Sequence, residues 1–188
     1  MLRKWFKEHR RFLAAAPVAL VLGFAWPGWQ AWHGNDQSAS EPIDVAAGEA
    51  GHYAGADFKL KRLQVEQPKS QSTEQSAPED AVVVVATFRG RMPDKKTEKD
   101  LFCYFHVQNS DGWQWGSDSA SVHDYVSEDT SDQCNGQTLN DKFEDVYPKP
   151  GKWFDFAVAF TVPESRAVGL RPTLEYHEEY PYYLRFEH

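Results

Sequence analysis

Apolar and polar residues alternate along several segments of the chain, and the clearest of these is WFDFAVAFTVP at 153–163. Its even positions from 154 to 162 are Phe, Phe, Val, Phe and Val, whereas its odd positions include Asp155 and Thr161. Successive side chains of a strand point to opposite faces of a sheet, so this pattern predicts a β-strand. Pro163 should end it, because proline has no N–H to donate.

Two segments nearer the amino terminus also have strand patterns. AVVVVATF at 81–88 is apolar on both faces, which is typical of a strand in the middle of a sheet. In 58–65 the alternation changes phase at Lys61–Arg62, which predicts a β-bulge at that point.

Shorter alternating segments complete the predicted set of strands, at 101–107, 168–176, 182–186 and, more weakly, 122–126. Helical spacing is limited to Leu139, Phe143 and Val146, which cover barely two turns. About seven short strands, separated by Gly, Pro, Asn and Asp, therefore predict an all-β domain over residues 52–188, folded as an antiparallel β-sandwich.

The amino-terminal pattern is different, because 21 residues from Phe12 to Trp32 contain no charge. A helix of that length spans about 30 Å, the thickness of the hydrocarbon core of a bilayer. Five Lys and Arg residues precede it against Glu8 alone, and such an excess keeps that end in the cytoplasm. We expect a cytoplasmic basic tail over 1–11, a single transmembrane helix over 12–33 and an extracytoplasmic domain.

Three tryptophans support a retained anchor. Trp26, Trp29 and Trp32 stand at the far end of the apolar run, where amphipathic rings prefer the membrane–water interface. A cleaved secretory signal is the alternative, with a weak site at Ser38–Ala39–Ser40. The apolar run exceeds the roughly 7–15 residues of a signal and ends in bulky rings, which favours a signal anchor.

Two stretches are poor in apolar residues. Residues 34–51 are small and polar, and they predict a flexible tether between the membrane and the domain. Residues 66–80 are rich in Gln, Ser and Pro, and they predict a mobile loop inside the domain.

The charge is divided unevenly along the chain. The first 33 residues carry a net charge of +4, whereas the remainder has 15 Lys and Arg against 27 Asp and Glu, a net of −12. An exported domain this acidic should repel nucleic acid and anionic lipid headgroups, so neither is expected to bind it.

The chain has two cysteines, Cys103 and Cys134, both on the side expected to be exported. An oxidising compartment favours a disulfide, and two cysteines allow one connectivity. Cys103 also falls on the face of its predicted strand that carries Leu101, Phe105 and Val107. Two free buried thiols are the alternative.

The segment GKWFDFAVAFTVPES at 151–165, after an anchor and a tether, resembles part of the DUF4352-type domains of membrane-anchored bacterial cell-surface proteins. The shared feature is a Gly-led strand with an aromatic-x-Val-Pro end, here Gly151 and 160–163. The resemblance covers 52–188 loosely and implies an immunoglobulin-like sandwich in the cell envelope, with no catalytic constellation. The acidic segment 111–146 departs from a minimal version of that domain.

Sequence motifs of the common enzyme classes are missing. We find no Gly-x-Ser-x-Gly, HExxH, P-loop or dinucleotide-binding pattern, and we predict no catalytic residue, metal site or cofactor. Segment 111–146 holds nine carboxylates against Lys142, which would suit calcium, but no EF-hand register is present. An acid pair such as Asp118 and Asp124 keeps a hydrolase open as an alternative.

Trp113 and Trp115 are the most pointed candidates for ligand contact. In a strand they would share a face, and with the polar residues around them they would make a shelf for stacking sugar rings. The alternative is that one or both indoles fill the core next to Cys103, as a Trp does in many such sandwiches.

The carboxyl-terminal segment YHEEYPYYLRFEH offers a second contact surface. Its surplus of aromatic residues predicts an exposed partner patch at Tyr180 and Tyr183. Pro181 should interrupt strand pairing and place the last strand at a sheet edge, open to strand addition by a partner.

These expectations combine into a membrane-anchored, extracytoplasmic binding module without enzymatic activity, whose partner is another protein of the bacterial envelope. A domain that binds cell-wall polysaccharide through Trp113 and Trp115 is the alternative.

Overall fold

The structure is a computed structural model that describes residues 38–68, 80–118, 124–127 and 129–188, without the side chains of 98–100. The predicted tail, the span over 12–33 and the three tryptophans at its end lie outside these residues, as does most of the loop predicted at 66–80. No helix in the described ranges is long and apolar enough to cross a membrane. Ala39–His188 form one compact unit.

Within these ranges the unit contains eleven strands and one short α-helix. The strands are β1 (Glu41–Val45), β2 (Gly51–Tyr53), β3 (Ala56–Glu66), β4 (Ala81–Arg91), β5 (Tyr104–Gln108), β6 (Gln114–Gly116), β7 (Thr138–Leu139), β8 (Asp145–Val146), β9 (Trp153–Pro163), β10 (Arg171–Glu175) and β11 (Tyr182–Phe186). Helix α1 spans Lys95–Asp100, and the side chain of Asp94 caps its first turn by accepting hydrogen bonds from two backbone N–H groups.

Most of the strands form two sheets. Sheet A has the order β1-β11-β10-β5-β6, and sheet B has the order β2-β3-β4-β9. All pairings are antiparallel except that of β1 with β11, which is parallel. Strands β7 and β8 form a separate two-stranded hairpin.

The core lies between the two sheets, and a group of phenylalanines shows the contact directly. Phe88 of β4 lies with its ring centre 5.2 Å from that of Phe186 in β11 and 5.9 Å from that of Phe105 in β5. Phe156 of β9 stacks on Phe88 at 5.2 Å. Aromatic rings from both sheets thus interdigitate in the interior, and the predicted all-β sandwich is confirmed.

Several predicted details of sheet B are also confirmed. Strand β4 lies between β3 and β9, as its two apolar faces predicted. Strand β9 has the predicted bounds, and the register of β3 shifts between Leu60 and Arg62, as expected for a bulge. The second face of β4 is buried because Tyr125 and Val126 pack against it.

The tether predicted over 34–51 is wrong in its second half. Residues 41–45 form β1, which pairs along its whole length with β11, and Gly51 begins β2. Only Val45 of β1 is buried, and Glu41 and Asp44 are exposed. A strand with four exposed residues has too weak an apolar pattern to be recognised in the sequence.

The predicted number of strands, about seven, is too low, and one segment is assigned wrongly. Asp124–Val126 form a turn and not a strand. Leu139, Phe143 and Val146, which have helical spacing in the sequence, belong to the β7–β8 hairpin and not to a helix. These segments are too short for a period of either two or 3.6 to be read.

Candidate functional site

The two tryptophans proposed as a sugar-stacking shelf have different surroundings. Trp115 lies in β6 opposite Val107 and packs against the core, as in the alternative interpretation. Trp113 precedes β6 and is 57% exposed, with the guanidinium carbon of Arg166 5.3 Å from its ring centre. A shelf at this position would therefore have one exposed indole, already in contact with a cation.

The aromatic patch predicted at the last strand is wrong for Tyr183, which is only 5% exposed. It lies in β11 beside Pro42 of β1, so β11 is an inner strand and not the edge predicted from Pro181. Tyr180 is half-buried, and its hydroxyl donates to Oε2 of Glu175 at 3.4 Å. Burial, followed by the charge of Glu175, raises the pKa of Tyr180. Tyr182 is the exposed ring of this strand.

Glu175 is a buried acid that sequence reasoning missed. Its Oε1 atom lies 2.9 Å from Nδ1 of His106 on the adjacent strand, and its other oxygen accepts from Tyr180. Both oxygens thus have partners, as a buried carboxylate requires. His106 and Glu175 are 69 residues apart in sequence, and the pairing of β5 with β10 brings them together.

Acidic residues do not converge on a cation site in the part of the chain that the structure describes. No group of three or more His, Cys, Asp and Glu side chains there could hold a metal ion. Asp118 is joined to the edge of sheet B by a hydrogen bond from its N–H to the carbonyl of Ala159, at 2.8 Å. The chain between it and Asp124 lies outside the described residues, so the acid pair stays a prediction.

The predicted disulfide is confirmed. Cys103 and Cys134 are bonded, with their Cα atoms 6.0 Å apart. The bond joins the start of β5 to a loop over 131–137. Since Cys134 is buried in the core cluster, the disulfide fixes this loop against the sandwich.

Buried polar side chains hold the same loop in one conformation. The hydroxyl of Ser131 donates to the carbonyl of Gln137 at 2.7 Å and accepts from the N–H of Gln133 at 3.0 Å. The side-chain oxygen of Asn135 accepts from the N–H of Gln137 at 3.0 Å. At the outer edge of sheet B, Ala157 donates its N–H to the carbonyl of Ser131 at 2.9 Å. The loop is thereby attached to sheet B at Ser131, in addition to the disulfide at Cys134.

Gly136 is required at its position in this loop. Its φ of +72° is a conformation that side chains rarely adopt, and a Cβ there would lie 2.6 Å from the ring of Phe154. The close approach lets Phe154 cover the loop beside the disulfide.

A groove of about 680 Å³ lies along this loop, which we call the disulfide groove; it is lined by Phe102, 129–133 and 137–139. Phe102 and Leu139 line it with large, exposed apolar side chains, 59% and 62% accessible. Asp129 and Asp132 supply negative charge. Tyr104 extends the apolar surface, because its ring packs edge-to-face on Phe102 with centres 5.9 Å apart. The groove thus combines apolar contact area with carboxylates and amides.

Five of the exposed large apolar residues belong to this side of the domain: Phe102, Tyr104, Leu139, Phe143 and Val146. Sequence reasoning missed them as a surface, because three were assigned to a weak helical pattern and two to a strand. The available signal was the presence of large apolar residues in an acidic segment without sustained periodicity.

Comparisons with known proteins give structural neighbours only. No protein-family model and no curated protein sequence matches this chain. An uncharacterised β-sandwich protein from Clostridium difficile is 12% identical, with 79% of this chain and 95% of that chain covered and a TM-score of 0.42. The secreted protein MPT63 of Mycobacterium tuberculosis is 11% identical, with 78% and 99% covered and a TM-score of 0.44.

A conserved hypothetical protein from Bacillus anthracis is 13% identical, with 76% of this chain and 94% of that chain covered and a TM-score of 0.47. None of these three descriptions states an activity.

Proposed function

We propose that this chain is a membrane-anchored, extracytoplasmic binding module of the bacterial envelope, with an immunoglobulin-like domain that binds another envelope protein through the disulfide groove. The single observation that carries the proposal is the exposure of Phe102 and Leu139 in one groove. Clustered apolar residues in a polar surround are typical of protein-contact surfaces.

The chemistry of the groove favours a protein over a sugar polymer. Its two large exposed contact residues are a phenylalanine and a leucine, whereas the sugar-stacking alternative depended on two indoles. Trp115 packs against the core, so that alternative has one indole available. The acidic lining of Asp129 and Asp132 favours a partner segment with basic residues.

Two features support the proposed compartment. Residues 12–33 have the length and apolar character of a bilayer-spanning helix, with basic residues on the side that stays in the cytoplasm. The Cys103–Cys134 disulfide supports an oxidising location for the domain. Both features support the proposal of a single-pass membrane protein with its carboxyl-terminal domain outside the cytoplasm.

Chemical cross-linking of the full chain in the cells that produce it tests this proposal. We expect a discrete adduct with one protein, lost in the Phe102→Ser/Leu139→Ser double variant and retained in the matched surface variant Trp113→Ala. Membrane association of the wild-type chain that is lost in a variant without residues 1–33 would support the anchor. A mature protein free in the medium without its first forty residues would contradict it.

Three results would overturn the proposed binding function. Retention on insoluble cell wall that is lost in Trp113→Ala would favour the polysaccharide alternative. Hydrolysis of an envelope polymer by the purified full chain would contradict a non-enzymatic role. An adduct that survives the groove double variant would place the contact elsewhere on the domain.

A further inference from the structure

The turn of the β7–β8 hairpin carries a phenylalanine in a conformation that phenylalanine rarely adopts. Phe143 is 85% exposed, and its φ of +59° lies in the left-handed region. For a bulky residue this conformation is an outlier, and glycine or asparagine would adopt it at lower cost. An aromatic residue that is both strained and exposed does not stabilise the fold, so its presence points to a function in binding.

Asn140 holds the turn in shape. Its side-chain oxygen accepts from the N–H of Lys142 at 2.9 Å and from that of Glu144 at 3.0 Å. Its own N–H donates to the carbonyl of Glu144, and Phe143 donates back to the carbonyl of Asn140 at 2.9 Å. The position of the Phe143 backbone is thus fixed by a closed set of hydrogen bonds.

The base of the hairpin is attached to the rigid loop at the disulfide. The amide of Gln137 donates to Oδ1 of Asp145 at 2.6 Å, and the carbonyl of the same residue accepts from Ser131. Cys134, three residues before Gln137, is covalently bonded to the sandwich. A ring presented on such a base loses little conformational freedom on binding, which favours affinity.

The charges around the ring define what it can contact. Asp141, Glu144 and Asp145 lie within two residues of Phe143 along the chain, with Lys142 as the basic residue of the turn. Anionic lipid and nucleic acid would be repelled, and a second copy would bring like charges together. A partner surface with Lys and Arg around an apolar pocket is complementary to Phe143 and the acidic residues of its turn, in both charge and polarity.

We propose that Phe143 is the anchor of a protein–protein contact, inserting its ring into an apolar pocket that is rimmed by Lys and Arg on the partner. The inference rests on the proposed function and names the chemistry of its partner. Buried aromatic anchors of this kind dominate the affinity of many interfaces. The adjacent disulfide groove supplies the remaining contact area.

A photo-cross-linking amino acid tests the contact in the full chain, in the cells that produce it. Benzoylphenylalanine at position 143 is compared with the same substitution at Trp113. We expect a protein adduct from position 143 only, with the linked peptide of the partner in an apolar pocket flanked by basic residues. Adducts with lipid, with a second copy of this chain, or equally from both positions would overturn the inference.

Charge variants of the turn add an independent readout. We expect Asp141→Lys to lower the adduct yield about threefold and Lys142→Glu to raise it by a similar factor, because rim charges act on association with a basic surface. A higher adduct yield for Asp141→Lys and a lower one for Lys142→Glu would exclude a basic partner.

Phe143→Gly separates this inference from the proposed function. It removes the ring while fitting the backbone conformation, and it should weaken chemical capture about 30-fold or more. If capture is lost in the groove double variant and unchanged in Phe143→Gly, the anchor is wrong and the proposed function stands. If no protein is captured by the wild-type chain, both are wrong.

Discussion

The hydroxyl of Tyr53 donates a hydrogen bond to the backbone carbonyl of Tyr182 at 2.7 Å, although the two residues are 129 positions apart. The same oxygen accepts from the N–H of Tyr176 at 3.1 Å. Tyr53 belongs to β2 of sheet B, and Tyr182 begins β11 of sheet A. One buried phenol therefore links the two sheets at this end of the sandwich.

Tyr53→Phe should destabilise the domain by about 1–3 kcal/mol, because it removes the hydrogen bonds of the hydroxyl with part-buried backbone groups of Tyr176 and Tyr182. Chemical denaturation of the full chain in mild detergent measures the change. Tyr182→Phe is the matched control, since that side chain is exposed, and it should have little effect. Equal effects of the two variants would contradict a linking role for Tyr53.

The buried hydroxyl of Tyr53 should also make the free energy of unfolding depend on pH in the alkaline range. Burial, partly offset by the hydrogen bond with the backbone of Tyr176, raises the pKa of Tyr53 from 10.0 to about 12. Above pH 10 the unfolded chain loses this proton and the folded chain keeps it, so the stability contribution falls as the pH rises through 12. The free energy of unfolding should decline from pH 10 to 12 more steeply in the wild type than in Tyr53→Phe.

The disulfide should contribute a large share of the domain's stability. It closes a loop with a sequence separation of 31, for which the chain-entropy model gives about 3–4 kcal/mol. The Cys103→Ala/Cys134→Ala variant should lose this amount in denaturant unfolding. Dithiothreitol should bring the wild type to the same value and leave the variant unchanged. A loss under about 1 kcal/mol would mean that Ser131 and Asn135 hold the loop without the bond.

The sequence predicts the interior of this fold better than its edges. Strands such as β4 and β9 are long and have their apolar residues in a regular period, so their positions follow directly from the pattern. Strand β1 has one buried residue, Val45, and its existence depends on pairing with a strand 141 positions away. The wrong edge assignment for β11 rests on Pro181 and on the missing β1, whereas the exposed position of Tyr183 is predicted separately, from the surplus of aromatic residues.

The candidate site could be predicted only in part. The Cys103–Cys134 pair follows from cysteine count and compartment, and it positions the disulfide groove. The side chains that line the groove come from separate segments, and no periodicity relates Phe102 to Leu139. Partial burial of Trp115 and exposure of Trp113 depend on where β6 begins, which a three-residue strand does not reveal in sequence.

Strand β1 is held to β11 by a bidentate ion pair as well as by its backbone. The Nε and Nη2 atoms of Arg185 lie 2.6 and 3.0 Å from the two carboxylate oxygens of Asp44. Asp44→Asn should lower the free energy of unfolding by about 0.5 kcal/mol at neutral pH, since the pair is solvent-exposed. Asp111→Asn, which breaks a single 3.3 Å contact with Arg166, is the control and should have a smaller effect.

Acid should abolish this difference. The hydrogen bonds from Arg185 hold the pKa of Asp44 below its ordinary value of 3.8. The contribution of Asp44 is therefore complete above pH 3.8 and disappears as the pH falls through the lower folded-state value. Unfolding curves of the wild type and Asp44→Asn should differ at pH 7 and coincide at strongly acidic pH. A difference that persists in acid would assign the effect to packing.

Phe143→Gly should make the domain more stable, by about 0.5 kcal/mol. Relief of the left-handed conformation gains about 1–2 kcal/mol, and the extra freedom of glycine in the unfolded chain returns part of it. Little burial is lost, because the ring is exposed. Phe143→Ala removes the same ring without relieving the backbone, and it should not stabilise; denaturant unfolding distinguishes the two variants.

Comparing Phe143→Gly with Phe143→Ala also tests whether the ring of Phe143 has a function in binding. If Phe143 anchors a partner, both variants lose capture although only Phe143→Gly gains stability, so stability and binding change in opposite directions. Such opposition is expected where a conformation costly to the fold serves a contact. If Phe143→Gly were instead destabilising, the ring would contribute to the fold itself, and its strained backbone would no longer point to a partner.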